Sequence, residues 1–473
     1  MFSPPIAGHG IFLPPGTRVP SPIDGGHMLL TIVAFLFVLG IVVFVHEFGH
    51  FIVAKLNGIY VITFSFGFGP KLLRKRVGET EYAISALPFG GYVKFAGENP
   101  DEESEPEDGV PDLPEHRLYR HKHPLGKMSV VLAGPFMNAL LAVLIYVLAG
   151  WFYGLYVNPA TVVGAVVDGS PAAEAGFLPG DEILAVNGET FRFWDDIQRS
   201  VIFETGVPSS FLVRRGGNEL ALTATPVLDD SSGYWDLGLR APLPSKVGNV
   251  KRDAPAWKAG MRAGATILAI NDTTVTTYAE LEEWIHPRPG VPMAFTWEQA
   301  GVVRTDTIVP AGIDAASEGE KLDVVKVGGI GIGPPYERVR LPFPDAFRHG
   351  MASVTGMLRS IVDFLVKLVT GHATVRTVGG PLRVGIMAGD MIRWGFDYLV
   401  YFIAFFSLNL AIFNMLPILP FDGGHFVIFA VEFATGRRMN QRVQNVMAQV
   451  GFVILIALIA FIFVMDIFNL FGR

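Results

Sequence analysis

Apolar residues in this chain fall into long unbroken runs towards both ends and into short alternating runs in the middle. Four long runs, at about 28–53, 128–153, 394–415 and 447–470, approach or exceed the ~20 residues that a helix needs to cross a bilayer. Helices buried in a large soluble core rarely run so long, so the four are read as membrane spans. The stretch from about 155 to 390 instead carries strand-length apolar runs punctuated by Gly and Pro, as folded domains of strands and short helices do.

Composition agrees with this division. Half of the residues are apolar and only 17% are charged. The net charge of −7, with no basic face of useful size, argues against nucleic acid as a partner. Cysteine is absent, so disulfides and thiolate ligands are excluded, and a metal would be held by His and carboxylate. The few charges orient the spans. Lys71, Arg74, Lys75 and Arg76 follow the first run, Lys122 and Lys127 precede the second, and Arg437, Arg438 and Arg442 separate the third from the fourth. The positive-inside rule puts these loops in the cytoplasm, and both termini and the 155–390 stretch on the outer side. The acidic run Asp101–Asp108 then belongs to a cytoplasmic loop. Residues 1–27 lack the charged start and the cleavage site of a signal peptide. They read as a disordered tail or as a consequence of start-codon choice, because Met28 opens the first apolar run.

The middle stretch contains a repeat. Ser170–Gly188 aligns with Ala254–Asp272 without a gap at an offset of 84, pairing Pro171 with Pro255, Gly176 with Gly260, Gly180 with Gly264 and Asn187 with Asn271. Each copy starts a short helix at Pro, closes it at Gly, and continues into a tight turn, an apolar strand and a second turn. This resembles the PDZ domains of bacterial proteases, in which a groove between a strand and a helix takes an extended peptide as an added strand. The resemblance implies C-terminal peptides as partners, with a plug or size filter over the membrane part as the alternative. The second copy departs from the pattern, with Ala265 for the turn Asp and Asp272 for the turn Gly, which bears on its ligand binding more than on its fold.

The candidate chemistry lies at the end of the first apolar run, in His46-Glu47-Phe48-Gly49-His50. Positions i and i+4 share a helix face, so the two imidazoles can hold one zinc ion while Glu47 takes a proton from an attacking water. Ionisable groups inside a bilayer cost at least about 2.5–3.5 kcal/mol each on insertion scales, so a cluster of them there implies a task. A catalytic zinc takes a third protein ligand. The candidate is Asp422, in the segment Asn414–Gly424, where Pro417 and Pro420 break the third run and Gly423-Gly424 permits a sharp turn. The first and third runs both end on the inner side, which puts His46, His50 and Asp422 at similar depth; a turn carboxylate at the interface is the alternative for Asp422. His121 and His123 have a metal-compatible spacing but sit in a charged loop, and His425 follows Asp422 closely enough to support a ligand.

Together these motifs resemble the site-2 protease family of intramembrane metalloproteases, over nearly the whole chain from Met28 to about Asn469. The resemblance implies that His46, His50 and Asp422 bind Zn2+, that Glu47 is the general base and that Asn414 helps to hold the substrate strand. It also implies that Phe64–Gly69 and Leu87–Lys94 bracket a hairpin that dips into the membrane and pairs with substrate backbone; from the residues alone it is a strand pair between basic turns. Gly134-Pro135-Phe136-Met137-Asn138 matches a family motif at the edge of the catalytic core, with a Gly-Pro kink for close helix packing as the alternative. Phe421 departs from the Leu usual before the Asp-Gly pair and keeps an apolar residue there.

The expected fold is a multi-pass α-helical membrane protein with four transmembrane helices, a membrane-associated β-hairpin and two α+β PDZ domains. The expected domains are a tail (1–27), the first part of the catalytic membrane core (28–157), PDZ domains at 158–230 and 238–312, a connector with amphipathic surface helices (313–393) and the second part of the core (394–473). The expected function is that of an intramembrane zinc metalloendopeptidase of the bacterial inner membrane with periplasmic PDZ domains. Its substrates would be single-span membrane proteins, such as a pre-trimmed anti-sigma factor, cut in regulated intramembrane proteolysis. Clearance of remnant signal peptides and a non-catalytic PDZ scaffold are the alternatives, and the intact Glu47 argues against the scaffold. A metal transporter would need polar residues in several spans, and the second and fourth runs offer few.

Overall fold

A computed structural model describes residues 25–98, 113–158, 160–191, 193–203, 206–228, 235–316, 324–370 and 380–471. The tail up to residue 24 and the acidic run Asp101–Asp108 lie outside the described residues. In chain order the helices are α1 (Gly25–Leu56), α2 (Pro124–Leu148), α3 (Pro171–Glu174), α4 (Trp194–Phe203), α5 (Pro255–Lys258), α6 (Tyr278–Ile285), α7 (Phe343–Val369), α8 (Pro381–Trp394), α9 (Phe396–Asn414), α10 (Asp422–Thr435) and α11 (Gln441–Phe471). The chain forms two compact units, one of residues 24–146 with 379–473 and one of 147–378.

In the first unit, α1 and α9 are long and apolar enough to cross a membrane, as is α2 together with the turn that follows it. Helix α11 is 31 residues long, and the apolar stretch Arg442–Ala457 within it is by itself shorter than a span. One side of α1 buries Ala34, Val38 and Val42 against Ala388 and Met391 of α8 and Leu399, Phe402 and Ile403 of α9. Its other side leaves Leu29, Val33, Phe37 and Phe44 exposed. A helix apolar on its packed and its free face alike suits a lipid surrounding, not water. Helix α8 falls in the stretch expected to hold surface helices, yet it packs against α1, where a Cβ on Gly389 would come 2.2 Å from Thr31 Oγ1. Helix α10 stands between the third and fourth runs, where only a basic loop is expected.

Two long strands follow α1, β1 (Val61–Val77) and β2 (Thr80–Phe95). They make more than a hairpin. Ser65 pairs with both Ala83 and Tyr92, and Ala83 pairs in turn with Arg74. Four stretches therefore lie side by side in the order 71–77, 80–85, 63–66 and 91–95. The basic residues Lys71, Arg74, Lys75 and Arg76 lie on an outer stretch and not in turns. Charge on an edge strand discourages pairing with other chains. The sheet is tied to the end of α1 by Glu79, which pairs with Lys55 and accepts from Arg117 Nη2 at 2.7 Å.

The second unit shows the repeat in three dimensions, and the offset of 84 persists well past the matched sequence. Strands Glu182–Val186, Ser209–Arg215 and Asn218–Ala224 recur as Thr266–Ile270, Met293–Gln299 and Val302–Ile308. Asn187 and Asn271 both adopt left-handed backbone (φ 50 and 53°). Each side-chain oxygen accepts from the neighbouring strand, Ser210 N at 2.8 Å and Ala294 N at 3.0 Å, a use of Asn for which Gly has no side chain. Buried Trp194, Ile197, Phe211 and Val213 in the first core correspond to Tyr278, Leu281, Phe295 and Trp297 in the second. Each copy is closed by a later segment. Ala172 N donates to Leu237 O and Ala256 N to Ile330 O, so an offset of 93 replaces 84 beyond a longer connection. These closing segments lie past residues 230 and 312.

The Asp-to-Ala difference between the copies has a structural answer. In the first copy, fully buried Asp181 receives Arg215 Nε and Nη2 at 2.7 Å each, and Leu178 N at 2.9 Å. In the second, Ala265 and Gln299 stand at the corresponding positions, and Gln299 Oε1 accepts from Arg262 N at 2.9 Å. One backbone N–H thus keeps an acceptor in both copies, supplied from the turn in one and from the facing strand in the other. The Arg215 guanidinium holds the Asp181 carboxyl below the usual carboxylate range. Stability from this pair is therefore complete above the ordinary carboxylate pKa and is lost as the pH falls through the lowered folded value. D181A should lower the stability of the full-length protein by about 1–3 kcal/mol, because three N–H groups, two of Arg215 and one of Leu178, lose this acceptor. The double variant D181A/R215Q, which copies the second repeat, should recover part of the loss in thermal unfolding; a double variant no more stable than D181A would refute the exchange.

Candidate metal centre

Histidines 46 and 50 lie one turn apart on α1, with ring centroids 4.8 Å apart. The spacing directs both Nε2 atoms to one point. They are 3.2 Å from each other, and Asp422 Oδ2 lies 3.2 Å from His46 Nε2 and 3.6 Å from His50 Nε2. Among the described residues this is the group of three close metal-ligating side chains. Ligands that each stand about 2.0–2.1 Å from a tetrahedral zinc are roughly 3.3 Å apart, and the three edges fit that spacing. Asp422 Oδ2 is buried and has no hydrogen-bond donor, which also fits an atom reserved for a cation. Two imidazoles and a carboxylate are a donor set of catalytic zinc sites.

The surrounding backbone builds this triangle. Asp422 is the first residue of α10, after the loop 415–421 that breaks away from α9. The sharp turn expected at Gly423 and Gly424 is not formed there. The two glycines open α10, and Cβ atoms there would stand 2.2 Å from Met415 O and 2.6 Å from Leu419 N, so glycine lets the helix start press against the loop. Helix α2 contributes as much. A Cβ on Gly49 would come 2.4 Å from Ala133 O, and one on Gly134 would come 2.4 Å from His50 Nε2 and 2.7 Å from His46 Cε1. His50 Nδ1 donates to Val130 O at 2.8 Å, which leaves its Nε2 with a lone pair for a metal. Asn138 reaches His46 Nδ1 at 3.3 Å.

Glu47 faces the sheet beside α1. A Cβ on Gly91 of that sheet would come 3.2 Å from the Glu47 Cγ. Asn414, the last residue of α9, brings Nδ2 to 3.1 Å from His46 Nε2. Every residue expected at the site is thus brought together. His425 is not part of the triangle and stacks its ring on Phe429 at 6.4 Å. His121 faces Glu115 at 3.8 Å and His123 accepts from Leu125 N at 3.3 Å. Val130 was not anticipated at the site, because a backbone acceptor carries no residue signature; Gly134 and Asn138 carried one, a small and a polar residue inside an apolar run.

Comparison with known proteins places this geometry. The sequence profile of peptidase family M50 matches residues 34–458. The chain belongs to this family. A Neisseria meningitidis protein named as a zinc metalloprotease is 31% identical over 460 residues, covering 93% of this M50 peptidase and 100% of its own length. The regulator of sigma-E protease of Escherichia coli is 30% identical over 472 residues, covering 94% and 99%. A solved PDZ domain of an SdrC-like protein from Listeria monocytogenes aligns with 17% of this chain at 20% identity, and at a TM-score of 0.16 that likeness has no bearing on the fold. The M50 peptidase is accordingly a zinc metalloprotease.

The room left by Gly134 gives a direct test. G134A should displace one or both imidazoles and weaken zinc binding at least about tenfold, read as zinc content after dialysis against a chelator. Zinc retained at the wild-type level would show that the rings have space to give.

Proposed function

We propose that this M50 peptidase cuts single-span membrane proteins within or near the bilayer of the bacterial inner membrane, with His46, His50 and Asp422 as the zinc ligands and Glu47 as the general base. The observation that carries the reading is the closed triangle of ligand atoms beside Glu47 on a helix of span length and composition. The chemistry that a bound zinc supplies is Lewis-acidic, namely polarisation of a peptide carbonyl and acidification of water. Glu47 takes the proton of the attacking water and delivers it to the leaving amine. A helical substrate engages its carbonyls in its own hydrogen bonds, so it must be unwound before attack. Stretch 91–95, the last in the sheet order and adjacent to Glu47, offers its backbone to such an extended segment. Asn414, with its amide at the rim of the triangle, holds the segment in place.

Four spans are the reading that the apolar runs and the basic loops support, with α11 as the fourth. The site then lies towards the cytoplasmic side and the repeat pair, read as two PDZ domains, in the periplasm. Relatives that bear the name of a regulator of sigma-E protease support a pre-trimmed anti-sigma factor as the substrate type. In this reading the repeat pair excludes substrates whose outer domain is still attached.

E47Q should abolish cleavage of a reconstituted single-span substrate, by about 100-fold or more, while zinc content stays at the wild-type level. Persistent cleavage would end the assignment of Glu47 as base. Removal of residues 160–334 should allow an untrimmed substrate to be cut, whereas unchanged selectivity would remove the filter from the account.

A further inference from the structure

We infer that Asn138 is a positioning residue that sets the proton of His46, an inference that rests on the assignment of His46 to the metal. Asn138 is wholly buried on α2. One end of its amide stands 3.3 Å from His46 Nδ1, and the other, Oδ1, meets no donor. His46 Nε2 is the atom that faces His50 Nε2 and Asp422 Oδ2, each at 3.2 Å. A ring that gives Nε2 to a metal carries its proton on Nδ1 and needs an acceptor there. His50 meets this need with the Val130 carbonyl. At His46 the group in reach is the Asn138 amide. Turned end for end, an amide keeps its shape and exchanges donor for acceptor, so Oδ1 then receives the Nδ1 proton.

The same residue is anchored from its other side. The Asn138 carbonyl accepts the buried Ser407 hydroxyl at 2.9 Å, and Ser407 lies on α9 two turns before Asn414. One residue on α2 thereby orients a ligand on α1 and is fixed to the helix that leads to Asp422.

The test is zinc affinity of the purified full-length protein in detergent, titrated against a fluorescent chelator, with thermal unfolding of the metal-free protein to establish folding. N138L and N138A, which lack an acceptor but leave different volumes, should bind zinc about 10–100-fold more weakly. N138D, whose carboxylate retains an acceptor at Nδ1, should stay close to wild type. Wild-type affinity in a folded N138L or N138A, or a folded N138D that weakens with them, would overturn the role of Asn138. H46A separates the two levels: it should lose zinc altogether, and zinc held by H46A would overturn the metal assignment itself.

Discussion

The close approach of α1 to α2 is the contact on which the site depends. At Gly49 the backbone of α1 meets the Ala133 carbonyl with no space for a side chain, and at Gly134 the backbone of α2 passes beside both imidazoles. In a lipid surrounding, helices gain little from burying apolar area against each other, so packing of small residues and interhelical hydrogen bonds hold them together. Here the same small residues that bring the helices together make room for the ligand rings, and the interhelical bonds are those of the ligands, His50 to Val130 and His46 to Asn138. Association of the helices and construction of the site are one process.

Asp422 enters from the other end of the chain by a comparable device. The proline-rich loop after α9 releases the backbone, and two glycines let α10 begin against it. Buried Leu419 of this loop packs with Val131 of α2 and with Ile428 and Phe429 of α10. The carboxylate is thus held by packing on the helix that also carries Gly134.

The chemistry was legible in the sequence because zinc ligands are restricted to few residue types and helical spacing fixes two of them on one face. Asp422 followed from the need for a third ligand and from a carboxylate at a broken apolar run. The duplication was legible only as far as its strictest positions, Pro171 to Asn187 and their partners. Its closing segments at Leu237 and Ile330 follow connections of different length, which hides the match. From the residues alone the four-stretch sheet reads as a simple strand pair, since pairing of one residue with two partners, as at Ser65, leaves no periodic mark. Ala265 departs from the repeat pattern in the sequence, but the compensation at Gln299 lies on another strand, and only the folded pairing connects the two.

The central claim is that two imidazoles and one carboxylate, from opposite ends of the chain, bind one zinc ion. X-ray absorption at the zinc edge of the purified wild-type protein addresses it most directly. The account predicts an all-nitrogen and oxygen shell whose multiple scattering fits two imidazoles. A shell with one imidazole or three, or one containing sulfur, would contradict it.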